Sequence, residues 1–358
     1  MSGFKAKAKG FVEDFGWPRI IIFIFLVALL AMAPFVGVRL DASISDILAR
    51  FGRNAIYVLA LVPMVQSGCG LNFGLPVGII AGLIGTAISL QYDIPGFWGF
   101  AVAILVSMPF AVLFGWLYAK LLNKVKGEEM TIAIYVGFAF VMFMCIMWMV
   151  LPFTNPNMVW AYKGTGLRTS LTIKEMNDPT HLHWRMILDN FLAIKIGKFF
   201  KIPTGSLLFF GLCAFVMRIF LKTKLGTAMT AVGSNPDYAR ASGVSVDRMR
   251  TTSVVVSTIV AAIGSIVYSQ SYGFALLYLG PLNMTMATIA ALLIGGASVK
   301  KANMVNVAVG AFLFQGLLTM TPSVINSMVK SDISEVVRLI VSNGIIIYAL
   351  TRKTKVSK

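Results

Sequence analysis

Few residues in this chain of 358 are of the kinds that carry out chemistry, and their spacing decides what they can do. His181 and His183 are the two histidines. Two positions apart, they do not share a helix face, and no third ligand accompanies them, so no metal site is expected. Cys69, Cys145 and Cys213 all lie inside apolar runs, where thiols act as packing residues, so neither a disulfide framework nor redox chemistry is suggested. Asp46, Asp93, Asp332 and Glu335 stand near the ends of apolar runs, and Glu128 with Glu129 falls in a polar break. No carboxylate is therefore placed for proton or ion coupling inside a span. A His/Asp/Glu/Ser constellation for a membrane-embedded enzyme is missing, and so is the G-x-x-x-x-G-K-[ST] loop that cradles nucleotide phosphates. What remains is recognition by isolated hydrogen-bonding groups in apolar surroundings: Gln66, Asn72, Tyr268, Gln270, Asn283 and Gln315. Each reads either as part of a pathway wall suited to a neutral polar solute or as hydrogen-bonding glue between helices.

The elements that must position these groups follow from composition. Hydrophobic residues make up 58% of the chain, charged residues 13%, and the mean hydropathy is +0.82, which excludes an ordinary soluble domain. Hydrocarbon satisfies no open backbone, so apolar runs of about 17 to 25 residues read as transmembrane helices. Runs near 20–38, 54–71, 75–91, 97–120, 130–151, 203–221, 251–272, 284–299, 302–320 and 335–351 predict an all-α polytopic membrane protein of about ten transmembrane helices, some broken or re-entrant. The first run follows Lys5, Lys7 and Lys9 and lacks a small-residue cleavage site, so it reads as a retained span. The whole of 1–358 is then one transmembrane domain, with a large extracytoplasmic loop at 152–202 and a cytoplasmic loop at 222–250.

Orientation comes from the cations. A net charge of +17 suggests nucleic acid in a soluble protein, but here it serves topology, and no nucleic-acid partner is expected. With both termini cytoplasmic, the inner segments collect most of the 31 Lys and Arg, and many of the others fall in 152–202, where a long loop weighs little. Phe97, Trp98, Trp116, Tyr118 and Trp148 fit interfacial aromatic belts. The end of 152–202 mixes apolar and basic residues at roughly helical spacing, as a surface-lying or partner-docking helix does. "QSGCGLNFGLPVG" and the region of Gly280 and Pro281 interrupt their apolar runs, either for close helix crossing or to line a cavity.

One polar stretch between spans is sharply punctuated. Ser234 and Asn235 are helix N-cap types, Pro236 is favoured at the first helical position, Asp237 suits the positive helix start and Gly243 the position after a helix end. A short helix over Pro236–Ser242 is predicted, on the cytoplasmic side, docking either a protein partner or the anionic lipid surface.

These residues carry a resemblance. "LGTAMTAVGSNPDYARASGVSVDRMR" is similar to the cytoplasmic loop of the ribose and branched-chain amino acid permease family of ABC importers, closest to the ribose-type, simple-sugar branch. Gly226, Ala231, Gly233, Asn235, Pro236, Ala239, Arg240, Ser242, Gly243 and Val246 match that pattern identically, Asp237 and Val244 conservatively, while Tyr238 and Ala241 differ from it. "IAALLIGGASVKK" resembles a second family run, with Lys300 and Lys301 replacing its glycine-rich continuation, and "GLNFGLPVG" resembles a third more loosely. The resemblance implies that the loop carries a coupling helix seated in a separate ABC ATPase subunit, with Tyr238 on the same helix. It also implies a second permease copy or paralogue, an extracytoplasmic substrate-binding protein docking partly on 152–202, and a bacterial inner-membrane location. ATP and Mg would be used by the partner ATPase, and none would be bound by this chain. The implied cargo is a small polar solute, a sugar first, with nucleosides, amino acids or a vitamin as alternatives. A stand-alone secondary transporter or channel is the reading from another class.

Overall fold

A computed structural model describes residues 17–156, 158–159, 166–174, 184–329 and the isolated positions 336, 339–340 and 343–344. His181, His183 and nearly all of the expected span 335–351 lie outside them. The described chain is helical almost throughout. Seven helices are long and apolar enough to cross a membrane, and two shorter apolar helices accompany them.

Helix α1, Trp17–Met32, ends in a 3-10 turn at Ala33–Val36, closed by Gly37 with φ of 78°. Helix α2, Leu40–Ala60, continues past Leu61 as α3, Val62–Gln66, and the two form one kinked span over Leu40–Gln66. Pro63 offers no backbone donor in the first turn of α3, which breaks the hydrogen-bond ladder at this point. The span therefore starts well before the expected residue 54 and takes Asp46, Arg50 and Arg53 into a helix. After left-handed Gly68 and Gly70 the chain turns back into α4, Leu75–Gln91. Its 17 residues rise only about 25 Å, short of a bilayer core, so α4 is sheathed by its neighbours. Gly78, Gly82 and Gly85 face those neighbours, and a Cβ on Gly78 would lie 2.6 Å from Cβ of Ala261. Close crossing explains these glycines.

Helices α5, Gly96–Lys124, and α6, Glu129–Val150, follow. In the 152–202 segment, β1, Ser170–Thr172, is followed by the short α7, Ile187–Asn190, and by a hairpin of β2, Ile194–Ile196, with β3, Phe200–Ile202. The surface helix expected at the end of 152–202 is thus replaced by a hairpin. Its alternating apolar and basic residues have a period of two and pair Lys195 with Lys201. Helices α8, Thr204–Lys222, α9, Lys224–Ser234, α10, Pro236–Ala241, and α11, Val246–Tyr272, complete the middle of the chain. Strand β4, Phe274–Leu276, pairs antiparallel with β1, and α12, Gly280–Ile294, and α13, Met304–Val329, follow. Pro281 starts α12 rather than interrupting it, so this helix begins before the expected residue 284.

Helices α4, α5 and α11 pack together with α2 against α11, and α12 and α13 close around α2. Burial sorts the spans: 67% of the apolar windows of α2 and α13 lie inside the bundle, against 22% for α1, α6 and α8, so the latter carry its exposed apolar faces. Trp148 and Tyr118 are fully packed within the bundle, unlike exposed Trp98 and Trp116, and so are not belt residues. Tyr118 has been taken up by the break after α3, where its hydroxyl donates to Asn72.

Candidate functional site

Two faces terminate the bundle. On one, the 152–202 segment is stitched to the helix ends: Ser45 donates to the carbonyl of Lys201, and Asn155 donates to that of Leu90. On the other gather α3, the start of α6, the α9–α10 region and the Lys300–Asn303 turn. That second face holds the residues singled out by the polar stretch.

Helix α10 forms because its ends are satisfied locally. The side-chain oxygen of Asn235 accepts from the backbone N–H of Asp237 at 3.1 Å and of Tyr238 at 3.0 Å, and Pro236 lacks a donor to satisfy. At the other end Gly243 takes φ of 81° while its N–H and that of Val244 return to the carbonyls of Arg240 and Ala239. The helix ends at Ala241, one residue before the expected Ser242. Tyr238 is 71% exposed, and Arg240 pairs with Asp237 at 3.2 Å in solvent, where such a pair adds little stability. Ala239 alone turns inward, onto Met229, Val232, Val246 and Met249.

Helix α10 is therefore a knuckle with an outward face of polar and aromatic side chains and an inward anchor on the start of α11. Its approach, expected only as part of the loop 222–250, is helix α9, capped by Thr223, whose hydroxyl accepts from the N–H of Gly226 at 3.3 Å. A Cβ on Gly226 would strike the backbone of Phe220 and Leu221. A Cβ on Gly233 would strike the carbonyl of Gln66 and lie 2.8 Å from the N of Gly68, so α9 crosses the break after α3 backbone against backbone. Ala231 lends its carbonyl to the N–H of Asn235. Beside this crossing lies a cavity of about 560 Å³ lined by Gln66, Thr230, Ser234, Lys300, Lys301 and Asn306 among others.

The polar span residues do not form one cluster. Gln66 ties the knuckle face together, donating to the carbonyl of Ala302 at 2.7 Å and accepting from the Thr230 hydroxyl at 2.9 Å. Asn72 is fully buried; it donates to Ser257 at 2.9 Å and accepts from the Tyr118 hydroxyl at 3.1 Å, while Ser257 donates onward to the carbonyl of Ala60. Gln270 is buried at the opposite face, where its side-chain oxygen accepts from the N–H of Leu188. Gln315 is 7% exposed within α13. Asn283 lines a cavity of about 260 Å³ with Phe73, Phe138, Thr285 and Met286. Tyr268 stacks between Tyr57 and Tyr272.

Sequence reasoning missed two features of this architecture. Arg250, at the start of α11, donates to Glu129 at 2.7 Å in an ion pair whose side chains are each 12% exposed. Arg53 lies within a span, its guanidinium 5.6 Å from the ring centres of both Tyr268 and Tyr272. A signal for Arg53 was available, since Asp46, Arg50, Arg53 and Tyr57 recur at helical spacing. Among the described residues no three His, Cys, Asp or Glu side chains stand together as metal ligands do.

A multi-span helical bundle with a capped helical knuckle on one face and a small folded segment on the other has the form of a membrane permease. The chain belongs to the family described as the permease component of branched-chain amino acid transport systems, whose model matches residues 43–350. It is similar to the nucleoside ABC transporter permease protein NupB of Lactococcus lactis subsp. cremoris, with 26% identity over 306 residues, 82% of this chain and 76% of that protein. No solved structure matches it.

Proposed function

We propose that this chain is the transmembrane subunit of an ATP-driven ABC importer of the bacterial inner membrane, forming the pathway for a neutral polar solute, a sugar or a nucleoside. The observation that carries this reading is α10, which is too short to be held by anything but its caps and one buried alanine. Tyr238 and Arg240 are offered to a partner while Ala239 bears on the first turn of α11. With α10 cytoplasmic, a separate ATPase consumes ATP and Mg and moves the knuckle. Because Ala239 rests on Val246 and Met249, and Gly233 on Gly68, the displacement enters α11 and the α3 break together. Each ATPase state must bind the knuckle differently for work to be done. The opposite segment, 152–202, receives the substrate-binding protein, and a second permease completes the pathway.

The sugar reading comes from the resemblance of the α9–α10 stretch, and the nucleoside reading from NupB. The deciding experiment is reconstitution of the chain with its co-purifying ATPase and binding protein in proteoliposomes, followed by uptake of labelled ribose, inosine, uridine and leucine with and without ATP. ATP-dependent uptake of ribose or a nucleoside is expected. Uptake by the chain alone, without ATP, would make it a secondary transporter or channel.

A further inference from the structure

Arg53 is the central residue of the 27-residue span Leu40–Gln66. It lies toward the 152–202 segment, close to Tyr272 at the end of α11 and with Gly52 beside it on Ser206, and a guanidinium half-buried there calls for protein partners or water. It has the opposite of what buried charges ordinarily have. Among the described residues it makes no ion pair and no hydrogen bond, and its Nε is enclosed without an acceptor. Asp189, the acid whose field reaches it, is held by the Ser206 hydroxyl, and the neighbouring Arg50 carries the same sign. Among the described residues its close contacts are rings: Tyr268 and Tyr272, both at 5.6 Å. The rings continue as a file, Tyr272 lying 5.8 Å from Phe274 on the β4 side and Tyr268 lying 6.0 Å from Tyr57 toward α12, where the Tyr57 hydroxyl meets Sδ of Met284. Tyr272 and Phe274 are 41% and 39% exposed, so the file is open at its outer end.

The rings supply no oxygen or nitrogen acceptor, so among the described residues the terminal N–H donors of Arg53 are left without one. Those donors suit a planar group that presents two acceptors along one edge while its own face lies on a tyrosine. A 6-oxopurine does this through O6 and N7. Adenine turns an amino donor toward the same position, and a free sugar has neither a planar edge nor a π face. We propose that Arg53, Tyr268 and Tyr272 form a nucleobase subsite in the pathway that selects 6-oxopurine nucleosides over adenosine and ribose. The subsite rests on the importer reading above and narrows its cargo.

Saturation-transfer NMR on the full chain in lipid nanodiscs reads weak binding without any transport step. Inosine, adenosine and ribose are the probes, and Arg53→Met, Arg53→Lys and Tyr272→Leu the variants, each checked for unchanged thermal unfolding. Inosine should show saturation strongest at its base protons and exceed adenosine by about tenfold in affinity, the worth of one bidentate pair. Arg53→Met should abolish that preference, and Arg53→Lys, a point charge, should not restore it. Tyr272→Leu, at a partly exposed position, should weaken inosine and adenosine alike and serves if the Arg53 variants fail to fold. Equal signals for inosine and adenosine in the wild type, ribose binding as strongly, or indifference to these substitutions would overturn the subsite. So would disulfide cross-linking of Tyr272→Cys to its twin, which would make this face a seam between copies. ATP-driven uptake of ribose with no base signal sinks the subsite alone, whereas a base signal without ATP-driven uptake sinks the importer and leaves the subsite standing.

Discussion

At the scale of single residues, Asn235 does the most with the least. One exposed side-chain oxygen serves two backbone donors of α10, so Asn235→Ala costs about 1 kcal/mol at the helix end. That is small for the bundle but decisive for a helix of six residues. The variant should insert and unfold thermally like the wild type, yet hydrolyse ATP in the reconstituted complex without importing substrate, while Asn235→Asp retains coupling. Normal uptake by Asn235→Ala would contradict the role given to α10. Asn72 behaves in the opposite way, because its partners are buried. Asn72→Leu strands the Tyr118 hydroxyl and removes the donor to Ser257, so a loss of about 1–3 kcal/mol is expected, seen as a lowered unfolding temperature in detergent. The contrast shows what the sequence made legible. The cap, the starting proline and left-handed Gly243 obey rules that act within a few residues, and the helix they predict is present. Asn72 and Tyr118 depend on partners tens of residues away, and an aromatic belt was the wrong expectation for Tyr118 and for buried Trp148.

At the scale of elements, α11 is the lever on the proposed reading, and its first turn is pinned twice. Ala239 bears on Val246 and Met249, and Arg250 is held to Glu129 at the start of α6, with Lys126 and Asp247 adding an exposed pair at 3.1 Å nearby. Removing one member of a largely enclosed pair leaves the other charge uncompensated, so Glu129→Gln and Arg250→Met each destabilise the bundle, whereas the double variant costs less than the sum of the two. A thermal-unfolding cycle in nanodiscs measures this, and strict additivity would mean the pair is not coupled. None of it was legible in the sequence, where Glu129 read as a loop residue and Arg250 as a topological cation. The span boundaries failed for a related reason. Hydropathy windows end where charges begin, so α2 was expected near 54, although Asp46, Arg50 and Arg53 occupy one stripe of a continuous helix beginning at Leu40. The α4 range, by contrast, matched, because Pro76 in its first turn and the polar Gln91 at its end punctuate it on both sides.

For the whole molecule, the question is how many copies act together. On the proposed importer reading this chain offers one α10 and one Arg53, the motor is a separate ATPase, and each knuckle calls for an ATPase surface of its own. A closed two-fold arrangement is the commonest way for identical chains to meet, and it presents two knuckles on one side of the membrane to two ATPases. Co-expression of tagged and untagged copies in the native host, followed by capture in mild detergent, should therefore recover the untagged copy together with an ATPase. Gly243→Val separates the two interfaces. A β-branched residue at φ of 81° is strained by about 1–3 kcal/mol, with open space around it, so the damage is confined to the end of α10. The ATPase should be lost from the captured complex while the untagged copy stays, because the proposal gives α10 to the ATPase contact and the spans to the permease contact. Recovery of a different permease in place of the untagged copy would establish a paralogue pair and make each knuckle answer to its own chain. Retention of the ATPase by Gly243→Val would move the docking surface off α10, most directly to the neighbouring cavity lined by Lys300 and Lys301.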